Sequence, residues 1–247
     1  MGDGKGRGRV VKIPVCFPFA GPLPRAIAER LIASVRNVMP SSHIYQLTDL
    51  DTEGFKGCEV VRLERGGDFQ EFFFKHLVAA SQSLPRFIVV DYDCVFLKNI
   101  ADLYTGQWKV GLTKRDSTDR TLAPGITERL PYNNGVIFSD GCHTFFQEAQ
   151  EQYLSIPNRD GWMDAQEAVK RAVMRTSVKI QEFPCSVYNY TPVEPDEDLK
   201  DRAILHYKGM RKHWALEPEH MHKAMLEGDR IAGMVTKWMG RQCKESP

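Results

Sequence analysis

The stretch Phe87-Ile88-Val89-Val90-Asp91-Tyr92-Asp93-Cys94-Val95-Phe96-Leu97 constrains this chain more than any other. Phe87 to Val90 is a short, unbroken apolar run, and Pro85 marks its start. Such a run fits a strand covered on both faces, as in a parallel sheet, and not a half-solvated hairpin. Two carboxylates stand where that strand should end. In open α/β sheets ligands gather beyond the carboxyl ends of strands, so Asp91 and Asp93 are expected at a ligand edge. Residues two apart in extended backbone point the same way, which puts both acids on one side. Hard oxygen donors paired like this suit a divalent cation that keeps open positions for substrate phosphates.

Strands and helices alternate around this stretch. Val10 to Phe17 reads as a first strand, and the Pro18, Gly21, Pro22, Pro24 cluster turns the chain into a helix beginning near Arg25. Ile27, Leu31, Val35 and Val38 form its apolar face. His43 to Thr48 is a second strand that ends at Asp49, placed to accept hydrogen bonds from a uracil or ribose, or else an ordinary turn carboxylate. Glu59 to Leu63 is a third. Asp68 with Glu71 gives a capping-box pattern for a helix striped by Phe69, Phe72, Phe73, Leu77 and Ala80. Val110 to Leu112 suggests another strand. Lys114 to Leu130 fits neither period and reads as a basic surface loop carrying Lys114, Arg115, Arg120 and Arg129. Cys142 to Tyr153 reads as a helix, and Lys179 to Phe183 with Cys185 to Tyr190 as late strands and a turn.

Three later segments carry chemistry. Asn133-Asn134-Gly135 offers amides that both donate to and accept from a hydroxyl, with a glycine that permits close approach; an Asn-Gly hairpin turn is the alternative. Gly161-Trp162-Met163-Asp164-Ala165-Gln166 opens a helix, where Asp164 is a site residue or a cap. Ala203-Ile204-Leu205 leads into His206-Tyr207-Lys208-Gly209-Met210-Arg211-Lys212-His213-Trp214.

With Asp91, Asp93, Asn134, Gly135 and Asp164, this last element makes the chain resemble the nucleotide-sugar glycosyltransferases of the GT-A fold. The nearest type is family eight, which includes glycogenin and bacterial galactosyltransferases. Their late signature is His-x-x-Gly-x-x-Lys-Pro-Trp, matched here at every fixed position except the proline, which is His213. The resemblance covers roughly residues 10 to 216. It implies an α/β chain with a single GT-A (Rossmann-like) domain, a mixed, mostly parallel central sheet flanked by helices.

The implied activity is transfer of a sugar from a nucleoside diphosphate donor, a UDP-sugar, to an acceptor hydroxyl with retention. Asp91, Asp93 and His206 would hold Mn2+ or Mg2+. Lys212 would pair with the diphosphate and Gly209 would let the loop close over it. Phe17, Asp49 and Tyr92 would lie beside the nucleotide, with Lys75 towards the sugar nucleotide. Asn133 or Asn134, with Gly135, would meet the sugar. Asp164 and Gln166 would stand near the reacting centre, although one residue separates them where the family has an adjacent Asp-Gln pair. A nucleotidyltransferase and a catalytically silent sugar-nucleotide or carbohydrate-binding module are the competing readings.

Composition bounds the rest. The 247 residues suffice for one α/β core, and the formal charge of +1 gives no global pull on nucleic acid. The acceptor is therefore expected to be a saccharide, a protein or a modified nucleic acid met by a local basic patch. No apolar run reaches membrane-span length and no secretory signal opens the chain, so a cytoplasmic protein is expected. The six cysteines show no Cys-x-x-Cys spacing and are read as reduced and mostly buried. Residues 1–9 read as a disordered basic tail and 217–247 as a helical extension, in which His220 and His222 are not ligands.

Overall fold

The computed structural model describes residues 12–116, 126–159, 161–194 and 197–216. The basic tail, Arg120, Cys243 and the extension from 217 onward, with His220 and His222, lie outside them. In chain order the elements are β1 (Val15–Pro18), α1 (Arg25–Val38), β2 (Ile44–Thr48), β3 (Glu59–Arg62), α2 (Phe69–Ser83), β4 (Phe87–Val90) and β5 (Cys94–Phe96). A 3-10 turn at Ala101–Thr105 follows, then β6 (Val110–Lys114), α3 (Ile126–Arg129), β7 (Tyr132–Ser139), α4 (His143–Ser155) and α5 (Trp162–Arg175). The chain continues through β8 (Ile180–Pro184), α6 (Cys185–Tyr188), β9 (Ile204–His206) and a 3-10 helix at Gly209–Leu216.

Seven strands form one sheet in the order β3-β2-β1-β4-β7-β6-β8, in which only β7 runs against the others. The apolar run at its centre explains its layers. Ile88 and Val90 face a cluster with Ala28, Leu31 and Val35 of α1, whereas Phe87 and Val89 face Phe73, Leu77, Phe146 and Ala168 from α2, α4 and α5. A strand covered on both faces needs apolar residues at every position, and each one fully enclosed contributes about 1.5–3 kcal/mol relative to exposure. Asp68 caps α2 by accepting from the amides of Gln70 (2.8 Å) and Glu71 (2.9 Å). Glu71 turns instead to Lys75 and Arg159, at 3.0 and 3.5 Å.

Three expectations need correction. The Lys114–Leu130 segment is not simply a surface loop, because Lys114 ends β6 and Arg115 is buried beneath the start of β7. Cys185–Tyr188, in the segment expected to hold late strands and a turn, is a short helix that turns the chain back toward the sheet. Asp91 and Asp93 do not sit in extended backbone: β4 stops at Val90, and the amide of Cys94 closes a turn on the carbonyl of Asp91 at 3.1 Å. Cys16, Cys58, Cys94 and Cys142 are free thiols, and Cys16, Cys94, Cys142 and Cys185 are buried. Among the described residues no helix is long and apolar enough to cross a membrane.

Candidate active site

Backbone pairing assembles the site. β5 and β9 form a separate two-stranded antiparallel ribbon in which Cys94 stands opposite His206. The carbonyl of Asp93 accepts from Tyr207 N at 3.0 Å, so the ribbon fixes His206 beside the Asp91-Tyr92-Asp93 turn. On the other side, Asp91 N donates to Gly135 O at 2.9 Å, which ties the turn to β7. Between Leu112 and Thr113 the β6–β7 register jumps, leaving Asn134, Gly135 and Val136 outside the ladder. The Thr113 hydroxyl bridges this bulge by donating to the carbonyls of Asn133 (2.8 Å) and Val136 (3.1 Å). Asn-Gly is thus a bulge in a buried strand and not a hairpin turn.

His206 Nε2 lies 3.3 Å from Asp91 Oδ2 and 3.2 Å from Asp93 Oδ1. Its other nitrogen, Nδ1, is 2.8 Å from Asn189 Oδ1. The Asn189 amide is oriented by its own contacts, since Nδ2 must be the atom facing the carbonyl of Asn133 at 3.3 Å. Asn189 therefore accepts from Nδ1–H, and Nε2 faces the two carboxylates, as a donor when the ring is charged and as a lone pair when it is neutral. That arrangement calls for a positive charge between them. Asp93 Oδ1 is buried and makes no hydrogen bond.

Two carboxylates and an imidazole nitrogen suit Mn2+ or Mg2+ by donor type, and the 3.3 and 3.2 Å from His206 Nε2 to the two carboxylates are near the spacing of neighbouring octahedral corners with bonds of about 2.1 Å. Cys94 belongs to the same cluster: its sulfur and one ligand atom each of Asp93 and His206 all lie within 4.8 Å of one another. Asp91, with Oδ2 3.3 Å from His206 Nε2, offers a harder donor than the thiol. The Cys94 thiol is pushed well above its ordinary pKa by burial and then by the two aspartates, and its Sγ lies 3.6 Å from Gly135 O.

The 3-10 helix at Gly209–Leu216 delivers Lys212, whose Nζ stands 3.0 Å from Asp93 Oδ2 and 2.8 Å from the Tyr92 hydroxyl. Gly209 begins that helix with φ +58, a conformation glycine adopts without penalty. Burial works against the Asp93 carboxylate, yet His206 and Lys212 together carry it below its ordinary pKa. The Lys212 ammonium, despite its own burial, is held above its ordinary value by Asp93 and Tyr92.

A cavity of about 620 Å³ opens on this cluster. Asp91, Asp93, Asn133, Asn134, Gly135, Gln166, His206, Gly209 and Lys212 all line it. The two asparagines have different duties: Asn133 Oδ1 accepts from Gly135 N at 2.9 Å, whereas neither amide atom of the buried Asn134 has a hydrogen-bond partner. Asn134 is the one free to meet a hydroxyl.

Asp164 is not brought here. It lines a separate cleft with Arg129 and Lys170, because two residues along a helix turn a side chain about 200° from Gln166. Phe17 is buried against Phe55, and the Asp49 carboxylate closes a turn on Thr52 N at 2.8 Å. Lys75 pairs with Glu71 at 3.0 Å, and Tyr92 serves the site through Lys212.

Sequence reasoning missed Asn189, which lay in a segment read as late strands and a turn, and Arg115, read as part of a loop. It also missed the wall residues Phe69, Phe73 and Trp162, whose apolar spacing signalled only core. Lys208 and Arg211 bring further positive charge to the lining.

No family model matches the sequence, and none of the curated proteins does. Solved structures do match in fold. The bifunctional glycosyltransferase WbbM aligns with a TM-score of 0.56 at 12% identity over 86% of this chain, which spans about half, 49%, of that protein. The galactosyltransferase LgtC, solved with donor and acceptor sugar analogs, gives a TM-score of 0.56 at 12% identity, covering 88% of this chain and 96% of its own. Mouse xyloside xylosyltransferase 1 gives 0.51 at 13% identity, covering 79% and 97%. This chain has the GT-A fold. The likeness at such identities is one of architecture, and what the chain does rests on its own residues.

Proposed function

We propose that this chain transfers a sugar from a UDP-sugar to an acceptor hydroxyl, using the cavity beneath the β5–β9 ribbon. The observation that carries the reading is that His206 Nε2 stands within 3.3 Å of a carboxylate oxygen of each of Asp91 and Asp93, with Lys212 3.0 Å from Asp93. A divalent cation bound by the three would act as a Lewis acid on the departing diphosphate. Lys212 adds a point charge to the same leaving group, and Lys208 and Arg211 stand at the wall behind it. Asn134 presents an unpartnered amide where the sugar would lie. Gln166, and not Asp164, is the side chain of α5 that reaches the donor.

Resemblance to the family-eight type supports retention of the anomeric configuration. A saccharide is the favoured acceptor, since Arg115, one of the four cations of the presumed basic loop, is buried in the cavity wall. The test is UDP release from a panel of UDP-sugars with and without Mn2+, followed by proton NMR of the first product. Release without Mn2+ equal to that with it removes the cation from the reading. A product anomer opposite to the donor's rules out retention. Metal-dependent binding without release from any donor would favour the silent module.

A further inference from the structure

Arg115 and Gln166 meet in the cavity wall, both buried, with Arg115 Nη2 2.6 Å from Gln166 Oε1. A guanidinium has five N–H donors and no acceptor, so the amide atom facing it has to be the oxygen. The reverse assignment would set N–H against N–H. The direction of the fork is fixed from behind: Nη1 donates to the carbonyl of Leu130 and, at 2.6 Å, to that of Tyr132. With Nη1 held on these carbonyls, Nη2 of the same rigid fork is kept aimed at the amide. The Gln166 nitrogen is consequently turned away from Arg115, in a residue that lines the cavity.

The position suits contact with a sugar. Arg115 is tied to Tyr132 and His206 lies against Gly135, three residues further along β7. At about 3.3 Å per residue, Tyr132 and Gly135 are at most roughly 10 Å apart along the strand, and Gln166 and His206 line the same cavity. A sugar attached to a diphosphate at the cation site extends across this interval. Resting on the donor reading above, we propose that Arg115 is a positioning residue that locks Gln166 with its nitrogen toward the donor sugar. Gln166 then recognises the sugar by donating hydrogen bonds to its oxygens, and its own oxygen does not face the anomeric carbon. Beside it α5 brings Ala165, which has no polar atom to compete for the same hydroxyls.

The test compares UDP with the best UDP-sugar of the release screen, or with UDP-glucose as calorimetric probe where none turns over, always with Mn2+. Gln166→Glu keeps an acceptor for Arg115 but replaces the donating nitrogen by oxygen. The expected result is UDP affinity within about twofold of the parent and UDP-sugar KM or Kd raised about tenfold, the size of one hydrogen bond lost. Arg115→Lys, which keeps the charge but not the fork, should reproduce that selective loss, and adding Gln166→Glu to it should cost little more. A purely structural role would weaken UDP and UDP-sugar together. Unchanged or tighter UDP-sugar binding by Gln166→Glu, or a sugar covalently attached to residue 166 by mass spectrometry, overturns the inference and leaves the donor reading standing. A parent that binds neither UDP nor a UDP-sugar overturns both.

Discussion

Gly135 and the imidazole of His206 share one space: a Cβ on residue 135 would come closer than 3.0 Å to the ring and to 3.1 Å from Asp91 Oδ2. The glycine thus serves the histidine first. Its missing side chain lets a strand of the main sheet lie directly against the imidazole that the β5–β9 ribbon supplies.

Gly135→Ala should therefore displace His206 before it disturbs the sheet. The expected outcome is at least a tenfold loss of Mn2+-dependent UDP affinity, alongside about 1–3 kcal/mol of stability from overpacking. Calorimetric titration and thermal unfolding separate the two effects. Parental UDP affinity in the variant would show that the ring is not a ligand.

Asp93→Asn removes a buried charge that faces both His206 and Lys212. Hydrogen bonds to charged groups contribute about 1.5–3 kcal/mol, so Mn2+-dependent UDP binding should fall by about tenfold to a hundredfold. The fold should survive, because the lost contacts are at the sheet's edge. Equal affinity in variant and parent excludes Asp93 from the cation site.

Lys212 offers a prediction of opposite signs. With its ammonium 3.0 Å from Asp93 Oδ2, it already neutralises part of the charge that a cation would meet. Lys212→Met should bind Mn2+ alone more tightly than the parent, yet bind UDP with Mn2+ more weakly, since the diphosphate loses its point charge. Two titrations, with and without UDP, suffice. If both affinities fall, Lys212 supports the fold of the ribbon and does not compete with the cation.

Much of this was legible in the sequence because strand periodicity and motif order survive without knowledge of contacts. The Phe87–Val90 run, the acids behind it and the spacing of His206, Gly209 and Lys212 each pointed to their place. What was not legible depended on register. Asn189 reaches His206 only because α6 turns the chain back, and nothing in Cys185–Tyr190 announces a helical turn. Arg115 looked like loop composition until burial turned its fork inward. On α5, rotation by 100° per residue decided between Asp164 and Gln166, and an inserted residue cannot reveal from sequence which side chain faces in.

His76 gives the last prediction, away from the site. It is fully enclosed in α2, with Nε2 3.1 Å from Thr48 O and its ring edge-on to Phe72 at 4.5 Å. Burial lowers its pKa from 6.5 to about 4, against the opposing pull of the Thr48 carbonyl and Asp49. A depressed histidine stays neutral in the folded chain while the unfolded chain takes up a proton below 6.5. Its contribution is therefore complete above pH 6.5 and drains away as pH falls toward 4. At 1.36 kcal/mol per pH unit, that interval amounts to about 3 kcal/mol of lost stability. His76→Gln keeps a donor for Thr48 without the titration, so its stability should lie below the parent's at pH 7 and change less between pH 6.5 and 4. Denaturant unfolding across that range checks it, and parallel pH profiles for the two proteins would assign the acid sensitivity to other groups.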